Sequence, residues 1–442
     1  MYNIFARFDK LNPPQFLAVV FGLAILVGSV LLWLPIASTE PVRYIDALFT
    51  ATSATTVTGL VVVDTGTVFT RFGQVVIMAL IKLGGLGLMS FAVLIVLALG
   101  KRLGLRERLL IQQSFNQPSL GGIIRLVKVL LIFSFSMELF ATFILALRWV
   151  PEYGLAEGLF QSLFHAISAF NNAGFSLWSD SLTRYIGDPV VNLIITILFI
   201  TGGLGFTVVY DLVKTKHMKR LALHSKIMLV GTLAINVVAM LMFFLLERGN
   251  PATLGALTWG EQFWATYFQA VTPRTAGFNT LDFGAMEPAT ITFMLLLMFI
   301  GAGSASTGGG IKVTTFVVIV LAVVTYLRGA RESVAFSRAI KADIVIRALA
   351  IVVISLSVVF VSIFVLSMVE TAPYLTIVFE AFSAFGTVGL SMGITDSLTD
   401  TGKMVLMWLM FLGRLGPVSI AFALAKASHK NVRYPKEDVF TG

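Results

Sequence analysis

The stretch Thr55-Thr56-Val57-Thr58-Gly59-Leu60 occurs in four related versions along this chain. Each version is a run of small or polar residues that ends in a glycine followed by an apolar residue. Each follows an apolar segment too short to cross a bilayer and precedes a long one. Four such glycine turns predict four loops arranged around one axis. The other three versions are Asn171-Asn172-Ala173-Gly174-Phe175, Arg274-Thr275-Ala276-Gly277-Phe278 and Gly386-Thr387-Val388-Gly389-Leu390.

The composition places the chain in a membrane. Of its 442 residues, 57% are hydrophobic and 12% are charged, and the mean hydropathy is +0.90. Soluble domains contain about 25% charged residues, so this chain lacks the polar shell that a soluble core needs. It has no cysteine and four histidines, which excludes thiolate chemistry and argues against a His-rich metal site. We therefore expect neither an enzyme nor an organic cofactor.

Eight apolar stretches reach the length of about 20 residues that a helix needs to cross the hydrocarbon core. Four shorter apolar segments, of about 13 to 16 residues, lie between alternate pairs and suffice for half a crossing. The pattern predicts an all-α polytopic membrane protein of four membrane–pore–membrane repeats, with eight transmembrane helices and four re-entrant half-helices in pseudo-fourfold symmetry. The long stretches are 16–35, 72–99, 123–147, 189–213, 227–246, 291–327, 344–368 and 403–425. The short ones are 46–58, 158–173, 261–276 and 374–388.

The distribution of basic residues sets the orientation. With the N-terminus inside the cell, the predicted inner segments contain 22 of the 32 Lys and Arg residues, as the positive-inside rule requires. This arrangement predicts a multi-pass protein of the plasma membrane, embedded in the lipid bilayer, with cytoplasmic N- and C-termini. It also accounts for the net charge of +9 without nucleic acid as a partner. The repeats are expected at 1–118, 119–222, 223–340 and 341–442.

The backbone polar groups of the four loops are most readily accommodated if the loops surround a pore. Non-helical backbone at membrane depth is tolerated only inside protein or along a water-filled cavity. Glycine permits positive φ and removes the side chain from the axis, so that rings of carbonyl oxygens are free to replace the hydration shell of a cation. The half-helices enter from outside and direct the negative ends of their dipoles toward the loops, which favours a cation over an anion.

A flexible polar run, Ser304-Ala305-Ser306-Thr307-Gly308-Gly309-Gly310-Ile311-Lys312, interrupts the longest apolar stretch. That stretch of some 37 residues, 291–327, is too long for one straight crossing, so we expect a break near its middle, below the four loops. The run is not a phosphate-binding P-loop, because no Gly-Lys-Ser/Thr ends it and no strand precedes it. Two interpretations are open: a glycine-rich kink, or a gate that blocks the cavity.

Small residues recur in the second long span of each repeat, as in Gly84-Gly85-Leu86-Gly87 and Gly202-Gly203-Leu204-Gly205. Their simplest role is close helix packing in lipid. In the fourth repeat, Arg414 stands where the second glycine would be. A charge at mid-span costs about 3 kcal/mol on insertion scales. Arg414 therefore either faces the pore as a barrier to cations or satisfies buried carbonyls of the broken third repeat.

Other polar residues within or near the spans leave more than one role open. Within the spans, Glu138 either pairs with a neighbouring repeat or bonds to a hydroxyl, and Lys82 is ambiguous. Four polar residues occupy matching places near the starts of the half-helices, where they form either a ring at the outer vestibule or partners for helix ends. These four are Thr50, His165, Gln269 and Glu380.

The four loops, the run at 304–312 and Arg414 resemble the Trk/Ktr/HKT superfamily of potassium transporters, and most closely the bacterial Ktr membrane subunit, over nearly the full length. The resemblance implies potassium as the transported ion, sodium dependence in many members, a homodimer, and a cytosolic regulatory ring that binds nucleotides. Glycine rather than serine at position 59 implies a preference for potassium over sodium. The implied ion-binding filter comprises Thr58, Gly59, Ala173, Gly174, Ala276, Gly277, Val388 and Gly389. The implied gating loop comprises Gly303, Ser304, Ala305, Ser306, Thr307, Gly308, Gly309, Gly310 and Lys312, with Arg414 as the pore barrier.

A different class of transporter is also open. An alternating-access cation carrier, such as a sodium/potassium symporter, would have broken helices and internal repeats as well. Repeats in such carriers are commonly inverted, whereas the four copies here share one topology and so favour a pore.

Overall fold

The computed structural model describes residues 13–86, 123–215, 217–416 and 437 of the chain. Within these ranges each repeat has the same order of a long first span, a short half-helix, a glycine loop and a second span. The first spans are α1 (Pro13–Trp33), α4 (Ile123–Tyr153), α8 (Leu223–Glu247) and α12 (Ala342–Val369). The half-helices are α2 (Tyr44–Thr56), α5 (Leu155–Phe170), α9 (Trp259–Val271) and α13 (Tyr374–Gly386). The second spans are α3 (Arg71–Gly85), α6 (Pro189–Gly203) with α7 (Phe206–Thr215), α10 (Pro288–Phe299) with α11 (Val313–Leu327), and α14 (Asp400–Leu415).

The first spans have the surface of membrane helices. Among the described residues, four helices, or five if the bent pair α6–α7 counts as one span, are long and apolar enough to cross a membrane. Large apolar side chains on them stay exposed, for example Leu139 at 69%, Leu233 at 65% and Phe360 at 70%. Soluble monomers rarely expose contiguous apolar surface of this kind. The expectation of an α-helical integral membrane protein is therefore confirmed. The C-terminal parts of two expected spans, 87–99 and 417–425, lie outside the described residues.

The half-helices form the buried centre of each repeat in the same way. Each contains a Phe-x-Ala pattern whose phenylalanine and alanine are completely or almost completely buried. Each second span contacts the half-helix of the next repeat: α3 contacts α5, α6 contacts α9, α10 contacts α13, and α14 returns to α2. The contacts thus close a ring of four repeats, as the pseudo-fourfold prediction requires. The buried phenylalanines are Phe49, Phe164, Phe268 and Phe379.

The expected break in the third repeat is present, since helix stops at Phe299 and resumes at Val313. A short antiparallel hairpin, β1 (Val334–Ala335) with β2 (Arg338–Ala339), then precedes α12.

The apolar stretch 189–213 contains a bend that the sequence did not indicate. Helices α6 and α7 meet at an angle of 95°, and Gly205 between them has a φ of 96°, which L-residues rarely adopt. The bend frees backbone groups that hydrogen-bond to the broken third repeat. Gly303 N donates to Gly203 O (2.7 Å), and Phe206 N donates to Ala305 O (2.8 Å). The second repeat bends because the third repeat supplies these partners.

Candidate ion pore

The four glycine loops share one backbone geometry. In each, the residue two before the predicted filter glycine has a positive φ, and so does the glycine itself. The left-handed residue caps the half-helix in the first and fourth repeats and follows the end of the helix by two residues in the second and four in the third. The first of these residues are Val57 (58°), Asn172 (58°), Thr275 (68°) and Thr387 (49°). The glycines are Gly59 (95°), Gly174 (69°), Gly277 (78°) and Gly389 (87°).

The same glycines bring the loops into a closed ring. A Cβ atom built on Gly174 would lie 2.6 Å from Gly277 Cα, and one built on Gly277 would lie 2.6 Å from Val388 O. A Cβ on Gly59 would overlap the carbonyl oxygen of Ala173, and one on Gly389 would overlap that of Thr58. Each loop therefore touches the next in the order one, two, three, four, one. The structure brings together all eight residues predicted for the filter.

In three repeats a hydroxyl at the end of the half-helix hydrogen-bonds to the backbone of the loop, a feature that the sequence analysis missed. Gly59 N donates to Ser53 Oγ at 3.0 Å. Ser168 Oγ donates to Phe175 O at 2.8 Å, and Thr272 Oγ1 donates to the carbonyl of Phe278. The available signal was positional, since these hydroxyls precede the loop glycine by five or six residues; Ser383 has the same place in the fourth repeat.

The matched polar residues of the half-helices lie elsewhere than expected. None lies at the start of its helix, Gln269 lies two residues before the end of α9, and all four are at most 1% exposed. His165 Nε2 contacts Ser176 Oγ at 3.1 Å, Gln269 Nε2 donates to Leu281 O at 3.0 Å, and Glu380 Oε2 accepts from Thr395 Oγ1 at 3.1 Å. These three tie the half-helix to the segment after the glycine. Thr50 instead donates to Asp46 O within its own helix. For His165, Gln269 and Glu380, both expected roles are therefore wrong: they form neither a ring at the outer vestibule nor partners for helix ends.

The run predicted as a gating loop lies against three of the four glycine loops. Thr307 Oγ1 donates to Asn172 Oδ1 at 2.6 Å, and Gly309 N donates to Thr387 Oγ1 at 2.9 Å. Gly308 packs so closely on Thr275 that an added Cβ would overlap the Thr275 hydroxyl. Each contact reaches the left-handed residue two before a filter glycine.

Two basic side chains hold the carbonyls of this run. Lys312 Nζ donates to Gly308 O at 2.7 Å and to Gly309 O at 3.3 Å. Arg414 donates to the carbonyls of Thr307 and Gly84, and lies 3.4 Å from Gly85 O. Arg414 thus links the third, fourth and first repeats. In the described ranges neither side chain has a carboxylate partner within 4.0 Å. The carbonyl contacts match one of the two interpretations of Arg414, and its effect on ions stays a prediction.

A buried ion pair joins the first two repeats beside the second loop. Lys82 Nζ lies 2.5 Å from Glu138 Oε1 and 2.7 Å from Ser134 Oγ. Asn171 Nδ2 donates to the same carboxylate oxygen at 3.0 Å. Glu138 therefore pairs with the neighbouring repeat and also receives hydrogen bonds. The desolvation of two charges is offset only by such close and complete pairing.

The small residues of the second spans allow close packing, as expected. A Cβ built on Gly84, Gly202 or Gly413 would overlap a half-helix carbonyl, in each case that of the residue four before the filter glycine. Gly301 of the third repeat faces the carbonyl of Gly309 instead. Across the described part of the chain, no three His, Asp or Glu side chains are grouped to hold a metal ion.

Comparisons with known proteins agree over nearly the whole chain. A family model described as a cation transport protein (TrkH) matches residues 13–434. The Ktr system potassium uptake protein B of Bacillus subtilis is 61% identical over 99% of this chain and 98% of that protein. The protein of the same name from Vibrio alginolyticus is 43% identical over 98% and 96%. The potassium/sodium uptake protein NtpJ of Enterococcus hirae is 38% identical over 98% of each.

Among solved structures, the potassium transporter TrkH from Vibrio parahaemolyticus has a TM-score of 0.75 to this chain at 21% identity, over 93% of this chain and 84% of that one. At this identity the likeness concerns the fold alone. These relatives are named as transport proteins and not as enzymes.

Proposed function

Because the chain belongs to the TrkH family of cation transport proteins, we propose that it takes potassium into the cell through one pore per chain. The observation that carries the proposal is the closed ring of four glycine loops, each with a left-handed residue and a left-handed glycine. The names of the curated relatives, which are potassium uptake proteins, support potassium as the transported ion.

The filter consists of the backbone at Thr58, Ala173, Ala276 and Val388 together with the glycine that follows each. An ion that enters from outside loses water there and gains carbonyl oxygens. All four non-glycine residues are fully buried, so their side chains face protein. The negative ends of four half-helix dipoles point at this ring and stabilise the partly dehydrated cation.

The gate is the run Gly303 to Gly310 with Lys312, which lies beneath the ring and hydrogen-bonds to it. Ions pass when this run moves away from the axis. Arg414 sets the barrier below the filter, because a guanidinium beside the path repels cations. Its contacts with Thr307 and with the first repeat also hold the run in the blocking position.

Assembly and topology follow the family resemblance. The protein forms a homodimer in the plasma membrane, since one chain already completes a ring. Both termini and the basic inner segments face the cytoplasm, where a nucleotide-binding regulatory ring docks. The phrase "Ktr system" in the relatives' names supports a multi-component assembly. The name of the Enterococcus hirae relative, a potassium/sodium uptake protein, supports sodium as a second ion or as an activator.

Uptake in a transport-deficient cell tests this function. Cells that express the chain should take up potassium in preference to sodium, and coexpression of a regulatory subunit should increase the rate. Correctly inserted protein that moves neither ion, with or without the subunit, would contradict potassium uptake.

The alternating-access carrier is the second candidate, favoured by the broken second spans α6–α7 and α10–α11. The rate of ion transport per protein distinguishes the pore from the carrier. Single-protein flux far above carrier rates at a fixed potential supports the pore, whereas slow flux with a fixed sodium-to-potassium stoichiometry supports the carrier.

A further inference from the structure

The position two before each filter glycine is strained. Asn172, Thr275, Thr387 and Val57 all have positive φ, and three of them are β-branched. A β-branched residue in the left-handed region is a conformational outlier, because its Cβ crowds the backbone. Such strain persists only where surrounding contacts determine the conformation, and it clusters at functional sites.

Backbone hydrogen bonds cap loops one, two and four, as from Val57 N to Ala54 O and from Thr387 N to Ala384 O. In loops two, three and four the left-handed residue also contacts the gating run. Asn172 accepts from Thr307 and donates from Nδ2 to Thr275 Oγ1 at 3.3 Å. Thr387 accepts from Gly309 N. One polar chain thus runs from the gate through Asn172 into the third loop, and a second bond runs from the gate to the fourth. All of these side chains are completely buried, so no water replaces a lost partner without rearrangement.

The first loop lacks this connection. Its left-handed residue is Val57, which has no hydrogen-bonding side chain. Val57 packs on the second span of its own repeat, where its Cγ2 would lie 2.9 Å from a Cβ built on Gly84. Asn172 of loop two likewise packs on Gly202 and Gly203 of its own second span. The gate therefore adds contacts in loops two, three and four that the side chain of Val57 does not make through hydrogen bonds in loop one.

We propose that the gate and the filter are one mechanical unit, in which Thr307 and Gly309 hold Asn172, Thr275 and Thr387 in the conformation that selects potassium. This proposal rests on the gate described under the proposed function. When the run withdraws, three loops lose contacts that oppose their strain, while the first loop keeps its own. The selectivity of the pore then depends on the state of the gate. By linkage, if opening the gate changes the affinity of the filter for potassium by some factor, bound potassium changes the open-to-closed equilibrium of the gate by that same factor.

The test compares potassium-to-sodium permeability ratios in proteoliposomes for intact protein and for protein lacking residues 306–310. The variant Thr387→Val removes the hydroxyl that accepts from Gly309. In intact protein we expect it to lower the ratio about fivefold, the factor for a hydrogen bond of about 1 kcal/mol. In the deletion background the partner is gone, so the variant should change the ratio less than about twofold. An equal effect of Thr387→Val in both backgrounds overturns the coupling.

Val57→Thr is the matched control, because it alters the same position in the loop that the gate does not touch. Its effect should be the same in both backgrounds; an effect confined to intact protein would overturn the proposed asymmetry. If the deletion protein does not fold, Thr307→Val and Asn172→Ala replace it. Coupling predicts that the double variant changes the ratio no more than the stronger single variant, and a product of the two single effects refutes it.

A separate measurement distinguishes the gate itself from its coupling to the filter. Basal potassium flux through the deletion protein should rise if the run blocks the pore. Raised flux with equal effects of Thr387→Val in both backgrounds retains the gate and refutes the coupling. Unchanged flux with the expected unequal effects refutes the gate and retains the contact of the run with the filter.

Discussion

Replacement of Gly59 by serine should damage selectivity before it damages folding. The residue has a φ of 95°, and a side chain in that region costs about 1–2 kcal/mol. The new Cβ would also overlap the Ala173 carbonyl, and overpacking of this kind typically costs about 1–3 kcal/mol. The ring relieves the overlap by moving a filter carbonyl outward. Since about 1.4 kcal/mol corresponds to a tenfold change, we expect the potassium-to-sodium permeability ratio to fall by at least about tenfold.

The assay is ion flux into proteoliposomes at a fixed potential, with thermal unfolding measured on the same protein. Gly393→Ser is the matched control, because Gly393 has a similar φ of 85° but no atom within 4 Å of an added Cβ. Because the backbone strain at the two positions is similar, Gly393→Ser should lower the thermal stability about as much as that strain does at Gly59, and it should leave the potassium-to-sodium permeability ratio unchanged. A ratio within about twofold of the parent for Gly59→Ser, or an equal loss for the control, would refute the assignment of Gly59 to the filter.

Three further changes probe the gate, the barrier and the buried pair. Deletion of residues 306–310 should raise basal potassium flux, and a folded deletion protein with unchanged or lower flux would contradict the blocking role. Arg414→Ala removes charge-assisted bonds to two carbonyls, so we expect a loss of about 3 kcal/mol of stability and a changed single-pore conductance; identical flux and ion affinity would leave Arg414 a structural role alone. Glu138→Gln leaves Lys82 buried without a counter-charge and should destabilise the protein by about 3–5 kcal/mol in thermal unfolding. The double variant Lys82→Met, Glu138→Leu should be less damaged, and a double variant as unstable as the single one would count against the pair.

The repeated glycine turn could be predicted from sequence because its physical requirement is local. A turn with positive φ selects glycine at one position, and four copies at a regular period support one another. The break at 300–312 was likewise predictable, since no straight helix of that length fits the hydrocarbon core. The chain order of span, half-helix, loop and span followed from apolar length alone.

The bend between α6 and α7 could not be predicted in the same way. Its Gly202-Gly203-Leu204-Gly205 pattern matches the one in the first repeat, and helix is the default for so apolar a stretch. The bend is stable because Gly303 and Ala305, some hundred residues later, exchange backbone hydrogen bonds with it. Pairing across that distance leaves no periodic signal in the sequence.

The polar residues of the half-helices were misplaced for a related reason. Three half-helices start before their predicted segments, as α5 does at Leu155, so residues expected near the helix starts lie further along the helices. A hydroxyl such as Ser53 or Ser168 commonly bonds to its own helix. Only the folded loop determines that these two instead hold the filter backbone.

The central claim is that cations bind inside the ring of Gly59, Gly174, Gly277 and Gly389, and it is tested most directly by anomalous diffraction from crystals grown with rubidium or thallium in place of potassium. We predict the strongest anomalous peak on the axis of that ring, within contact of the carbonyls at Thr58, Ala173, Ala276 and Val388, and its loss when sodium replaces the heavier ion. A well-resolved map with no peak at the ring, or with the strongest site elsewhere in the protein, would contradict the claim.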